Sequence, residues 1–103
     1  MNIKTVDVQA KEWFDRVNGN SYFSTVVTVN YGMEDEKEIK IPMQYGYGDM
    51  YKHEAFYSLI SEGLIKADRH KVSYWNYYRD NGIIARHSIQ TKCLKRDVKA
   101  FVA

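Results

Sequence analysis

Apolar positions along this chain switch repeatedly between two periods. Ala10, Trp13, Phe14 and Val17 recur at helical spacing, and Asn18-Gly19 suits a left-handed C-terminal cap, so this segment predicts a short amphipathic helix. From Tyr22 to Asn30 the period shortens to two. Phe23, Thr25, Val27 and Val29 fall on one side and Tyr22, Ser24, Val26 and Thr28 on the other, as a strand requires. Ile39, Ile41, Met43 and Tyr45 then alternate against Lys40, Pro42 and Gln44, which predicts a second strand whose proline belongs at an edge or a bulge. The two strands make a hairpin. Their connection, residues 31–37, carries Glu34, Asp35 and Glu36 in succession, a solvated loop more readily than a metal site.

Asp49 is placed to cap a helix with a buried stripe of Phe56, Leu59 and Ile60 that ends at Gly63. A further helix opens at Asp68 or Ser73, carries Lys71, Tyr74, Trp75 and Tyr78 along one side, and stops at Asn81-Gly82. The competing reading is a strand through Val72, Tyr74 and Tyr78, with Asn81-Gly82 as a hairpin turn. Ile83 to Thr91 alternates as a strand. In the tail, Leu94 and Val98 fit a helix, while Val98, Ala100 and Val102 fit a strand. The sum is one α+β domain over residues 1–103, a small antiparallel sheet carrying two or three short helices.

Composition changes this picture in two places. Tyrosine is the outlier, nine in 103 residues, and a flat ring with a polar tip favours contact surfaces. Charge is lopsided: residues 1–65 hold six Lys/Arg against ten Asp/Glu, whereas residues 66–103 hold nine against three. Such a bias marks a face for nucleic acid or an acidic partner, or else ordinary solvated surface spread around the fold. Cys93 is the only cysteine, which excludes an internal disulfide and a multi-thiolate metal site. No apolar run approaches the ~20 residues of a membrane span, and Met1 to Asp7 has no signal-peptide core, so a cytoplasmic protein with no membrane partner is expected.

Chemistry concentrates at Gln44 to Tyr51, where two glycines and three tyrosines lie between a strand and a helix. Glycines there allow backbone amides to approach a phosphate. The dinucleotide fingerprint nevertheless needs glycine where Tyr51 stands, a P-loop needs Gly-Lys-Ser/Thr, and an Asp49 cap carboxylate would occupy the same amides. As a site, the segment suits aromatic recognition better than phosphate cradling: Tyr45, Tyr47 and Tyr51 as stacking rings, with Arg79, Arg86, Lys92, Lys95 and Arg96 holding phosphates. The bland alternative is that the glycines make a tight turn and the tyrosines close the core. His87 beside Arg86 suggests a metal-independent ribonuclease only weakly, since a lone histidine in phase with Ile83 and Ile89 is more often a core or edge side chain. A thiol nucleophile pairing Cys93 with His87 rests on nothing but their presence. His53-Glu54 lacks the second histidine of a zinc helix, because Tyr57 stands there. No cofactor motif and no metal motif emerge.

The run from Trp13 to Ser24, followed by Gln44-Tyr45-Gly46-Tyr47-Gly48 and by Asp80-Asn81-Gly82-Ile83, resembles a family of small proteins encoded by tailed bacteriophages. The resemblance spans most of the chain and supplies no catalytic residues. It implies an infected host cytoplasm and an accessory role in modifying host processes or handling nucleic acid. The expectation is a non-catalytic binding protein for nucleic acid or a nucleotide. Its alternative is an inhibitor of a host enzyme or defence component, acting by protein-protein contact through tyrosine and arginine anchors.

Overall fold

A computed structural model describes residues 1–103 as seven elements: β1 (Thr5–Asp15), β2 (Asn20–Val29), β3 (Lys37–Tyr45), α1 (Met50–Ser61), α2 (Tyr74–Asp80), β4 (Ile84–Gln90) and α3 (Lys95–Phe101). The strands form one sheet in the order β3-β2-β1-β4. β1 pairs antiparallel with β2, and β2 antiparallel with β3, but β1 and β4 run parallel. The α+β class with three helices therefore holds, while the sheet is mixed rather than wholly antiparallel. The reason is connectivity: α1 and α2 lie between β3 and β4, and such a crossover can return the chain in the direction of β1.

The helix expected around Ala10 to Val17 is instead the second half of β1. Val6, Val8 and Ala10 alternate into the core, and β1 is flanked by partners on both edges, so pairing on two sides overrides a four-residue helical coincidence. Asn18-Gly19 belongs to a hairpin turn: Gly19 has φ 71° and its N–H donates to the Asp15 carbonyl at 2.7 Å. Asp15 ties the same turn, accepting from the Val17 N–H at 3.0 Å and from Asn18 Nδ2 at 2.8 Å. These bonds, led by the Asn18 side chain, hold its carboxyl below the usual range.

The predicted hairpin forms as β2 and β3, with residues 31–37 exposed between them. Pro42 satisfies both expectations for it: β3 is an edge strand, and the register shifts where Pro42 and Met43 oppose Ser24. At the far end of β2, Asn30 is buried with φ 54°. Its Oδ1 accepts from the N–H groups of Lys4 and Thr5 at 2.7 and 3.3 Å, and its Nδ2 donates to the Asn2 carbonyl at 2.9 Å. One side chain thus fastens the entry to β1.

Helix α1 starts after Asp49 as expected, but Asp49 does not cap it through its side chain. Its carboxylate reaches Lys52 Nζ at 3.4 Å, and the first turn is closed by backbone bonds from Met50 to Tyr47 and from Lys52 to Asp49. The end follows the sequence closely. The Gly63 N–H bonds to the Ile60 carbonyl and the Leu64 N–H to the Leu59 carbonyl, a Schellman closure with Gly63 at φ 72°. Residues 74–80 are helix rather than strand, because the sheet is already complete and Tyr78 is buried against Phe56 on α1. The tail resolves as helix α3.

Alternation assigns the two faces of the sheet. Val6, Val8, Val27, Val29 and Ile39 point to one side, where Tyr51, Ala55, Phe56 and Leu59 of α1 and Tyr78 of α2 complete the main core. Trp13, Tyr22, Ser24, Val26 and Lys40 point to the other, where α3 lies. The Ser24 hydroxyl donates to the Val98 carbonyl at 2.6 Å, and Lys40 Nζ donates to the Ala103 carbonyl at 3.1 Å. Val98 is fully buried there. No helix is long and apolar enough to cross a membrane.

Candidate nucleic-acid interface

Three neighbouring strands place aromatic residues in register on the α3 side of the sheet. Trp13 on β1 is the direct partner of Tyr22 on β2, and Tyr22 is the partner of Tyr45 on β3. Their side chains form a row. The Trp13 and Tyr22 rings stack with centroids 5.5 Å apart, and Tyr22 meets Tyr45 edge to face at 6.0 Å. Tyr45 ends the row at the sheet edge and is 56% exposed. At the other end Lys95, in the first turn of α3, holds Nζ 5.3 Å from the centroid of Trp13. Beside Trp13 a groove of about 830 Å³ continues between the β1–β2 turn and the approach to α3, lined in part by Phe14, Arg16, Lys92 and Leu94.

Several expected site residues meet here and others do not. Tyr45 joins the row, Lys92 lines the groove, and Lys95 covers Trp13. Arg96 follows on α3 and is exposed. Tyr47, 65% exposed, lies two residues beyond Tyr45, in the turn before α1. Tyr51 is a correction: it is 4% exposed and packs into the core beneath α1, edge-on to His87, because the first turn of α1 presses this ring onto the sheet. Arg86 forms a two-bonded ion pair with Asp7 on β1, at 2.5 and 2.9 Å, so its charge is already matched. The pair raises the Arg86 pKa further through its hydrogen bonds to Asp7. Arg79 sits on α2, across the sheet, beside Asp80 at 3.1 Å. The five basic residues expected at the site are therefore divided among three places.

Gly46 has a packing role. A Cβ there would stand 2.5 Å from the Phe23 ring and 2.9 Å from Met50 Sδ, so the chain turns from β3 to α1 only with glycine at this position. The turn consequently carries Tyr45 and Tyr47 outward while Met50 folds back. Trp13 and Tyr22 were absent from the expected site. Continuing the Val6, Val8, Ala10 alternation through β1, with Asn18-Gly19 in a hairpin turn, would have put Trp13 and Tyr22 on the same face of neighbouring strands; their direct pairing depends on the four-residue connection 16–19, since a two-residue turn at Asn18-Gly19 would set Trp13 opposite Ser24.

His87 lies on the opposite face, in register with Val8 and ringed by Tyr51, Tyr74 and Tyr78, with ring centroids at 6.3, 5.5 and 6.4 Å. Burial pushes its imidazole below the ordinary histidine range, and Lys52 adds to this while Asp49 opposes it. Arg86, one residue earlier, points to the other face, so His87 and Arg86 do not share a site. Cys93 is no nearer. Its N–H bonds to the Glu12 carbonyl, four residues further along β1 than Val8, or about 13 Å at strand spacing. Its thiol donates to the Gln90 carbonyl at 3.4 Å. No three His, Cys, Asp or Glu side chains converge as a metal site.

No protein-family model matches the chain, and no curated protein or solved structure matches it either.

Proposed function

We propose that the α3 side of the sheet binds single-stranded nucleic acid, with bases stacking at the open Tyr45 end of the aromatic row and phosphates lying along Lys95, Lys92 and Arg16. The observation that carries this reading is the cross-strand row Trp13–Tyr22–Tyr45 with an ammonium held over its far ring. Stacked on each other, Trp13 and Tyr22 form a rigid base for the row, and the half-exposed Tyr45 and the neighbouring Tyr47 offer ring surface to a ligand. In keeping with the resemblance to tailed-phage proteins, the setting is the cytoplasm of an infected bacterium and the role is accessory and non-catalytic.

Fluorescence anisotropy with a labelled single-stranded oligonucleotide bearing a 5′-hydroxyl tests the reading. Binding is expected at low salt, weakening as salt rises with a slope near −2 for three phosphate contacts at about 0.7 each. Tyr45→Ala should weaken it by about 1–3 kcal/mol and leave stability within about 0.5 kcal/mol. Absence of binding at low salt would overturn the proposal.

One observation favours a second reading. Phe14, Val17 and Leu94 are all exposed around the groove beside Trp13, more apolar surface than a phosphate track needs. Docking of a host enzyme or defence component there, with inhibition as the result, fits that apolar rim. Loss of a host partner on Phe14→Ser, with oligonucleotide binding retained, separates the two.

A further inference from the structure

Across the sheet from the aromatic row, the connection between α1 and α2 folds against the outer side of α1 and borders an open pocket of about 290 Å³. Four of its nine lining residues are basic or imidazole side chains, His53, Arg69, His70 and Lys71, and none is acidic. Local structure explains the clustering. The Asp68 carboxylate accepts the His70 N–H at 2.9 Å, and the Asp68 carbonyl accepts the N–H groups of Lys71 and Val72 at 2.9 and 3.1 Å. This tight turn brings three consecutive cationic-type residues to one rim. The carboxylate that organises the turn is not among the lining residues.

The charges in the pocket have no protein partners. None of the four ion pairs in the molecule involves Arg69 or Lys71. Instead the Arg69 guanidinium lies 4.2 Å from the Tyr57 ring centroid, which holds its plane while leaving its donors free. Ser73 borders the same pocket, although its hydroxyl is shut off from solvent and without any hydrogen-bond partner. Tyr57 and Tyr74 provide aromatic walls, with His53 edge-on to Tyr74 at 5.1 Å.

We infer that this pocket binds a phosphomonoester dianion, with Arg69 and Lys71 neutralising its charge and the tyrosines flanking the group attached to it. An arginine fork and a lysine without carboxylate partners suit a compact dianion better than a singly charged diester. The volume suits a terminal phosphate and part of its substituent rather than a whole polymer segment. A free nucleotide and the 5′-phosphate end of a strand present this same chemistry. The site stands independently of the aromatic row, which lies on the opposite face of the sheet.

Isothermal titration with inorganic phosphate, with a nucleoside 5′-monophosphate, and with matched 5′-phosphate and 5′-hydroxyl oligonucleotides tests the inference. Saturable phosphate binding is expected, weakened about tenfold or more by Arg69→Gln and again by Lys71→Gln. Both residues are exposed, so the variants should keep the fold, and unchanged circular dichroism verifies this. Arg79→Gln, which removes the same charge from the helix layer outside the pocket, should leave binding intact. Tighter binding of the mononucleotide than of inorganic phosphate identifies a free nucleotide as the ligand. A 5′-phosphate advantage that Arg69→Gln abolishes identifies a strand end. Absence of saturable binding by every phosphate probe, or binding that all three variants leave unchanged or weaken equally, would overturn the inference.

Discussion

Toward α1 and α2 the sheet presents Val6, Val8, Val27, Val29 and Ile39, all buried, whereas the alternate residues of the same strands, Asp7, Gln9, Thr28, Glu38 and Arg86, are partly or wholly exposed. The first face is closed by two helices and a cluster of buried aromatic rings. The second carries a single two-turn helix at one end and an aromatic row beside it. β2 shows the effect within one strand: Phe23 to Val27 is buried at every position, because α1 covers one side and α3 the other. The comparison teaches that the main core lies on one side of the sheet and the exposed cross-strand rings on the other. The closed face has little freedom to vary. The α3 face holds its rings by contacts among exposed or half-exposed groups, so they can be altered without collapsing the core.

The largest effect that could break this division lies on the closed face. Phe56→Ala should destabilise the protein by about 3–5 kcal/mol in urea unfolding, because the ring is fully buried against Tyr77 and Tyr78 and leaves a cavity. A loss below about 1 kcal/mol would show that this face is not the main source of stability. On the other face, Val98→Ala should cost about 1–3 kcal/mol, less than Phe56→Ala, and should act locally. Hydrogen exchange by NMR is expected to show faster exchange across α3 while the amides of β1 and β2 stay protected. Uniform loss of protection would mean that α3 and the sheet unfold as one unit.

The smallest effect concerns pH. His87 is held neutral in the fold, its pKa lowered by burial first and by Lys52 next, so the unfolded chain binds a proton more readily than the folded one. The resulting stability is fully present above the ordinary histidine value of about 6.5 and is lost as pH falls from there toward the lower folded value. The urea midpoint should therefore fall between pH 7.5 and 5.5, and His87→Phe should reduce that fall. An equal fall in both proteins would place the pH response elsewhere.

Much of the chain was legible where a local signal and the tertiary fold agreed. β2, β3, α1 with its Gly63 stop and the exposed 31–37 loop follow from period, turn residues and capping alone. The site was legible only in part. Tyr45, Tyr47, Lys92 and Lys95 were expected and lie at or beside the row, yet Trp13 and Tyr22 were hidden by the mistaken helix over residues 10–17. That segment satisfies two periods at once, and only pairing on both edges decides between them. Tyr51 and Arg86 failed for a different reason. A residue type says what a side chain can do, but burial beneath α1 and the reach of Asp7 decide whether it is free to do it.

The sequence by itself determined the two-residue alternation of β2, β3 and β4, the stops of α1 and α2 at glycines, and the bulge or edge position of Pro42, because each depends on the conformational limits of a few adjacent residues. Tertiary structure alone decided that β4 runs parallel to β1, that the five basic residues expected at the site are divided among three places, and that Trp13, Tyr22 and Tyr45 stand side by side. Those outcomes depend on register and packing between residues far apart in the chain, which no local pattern records.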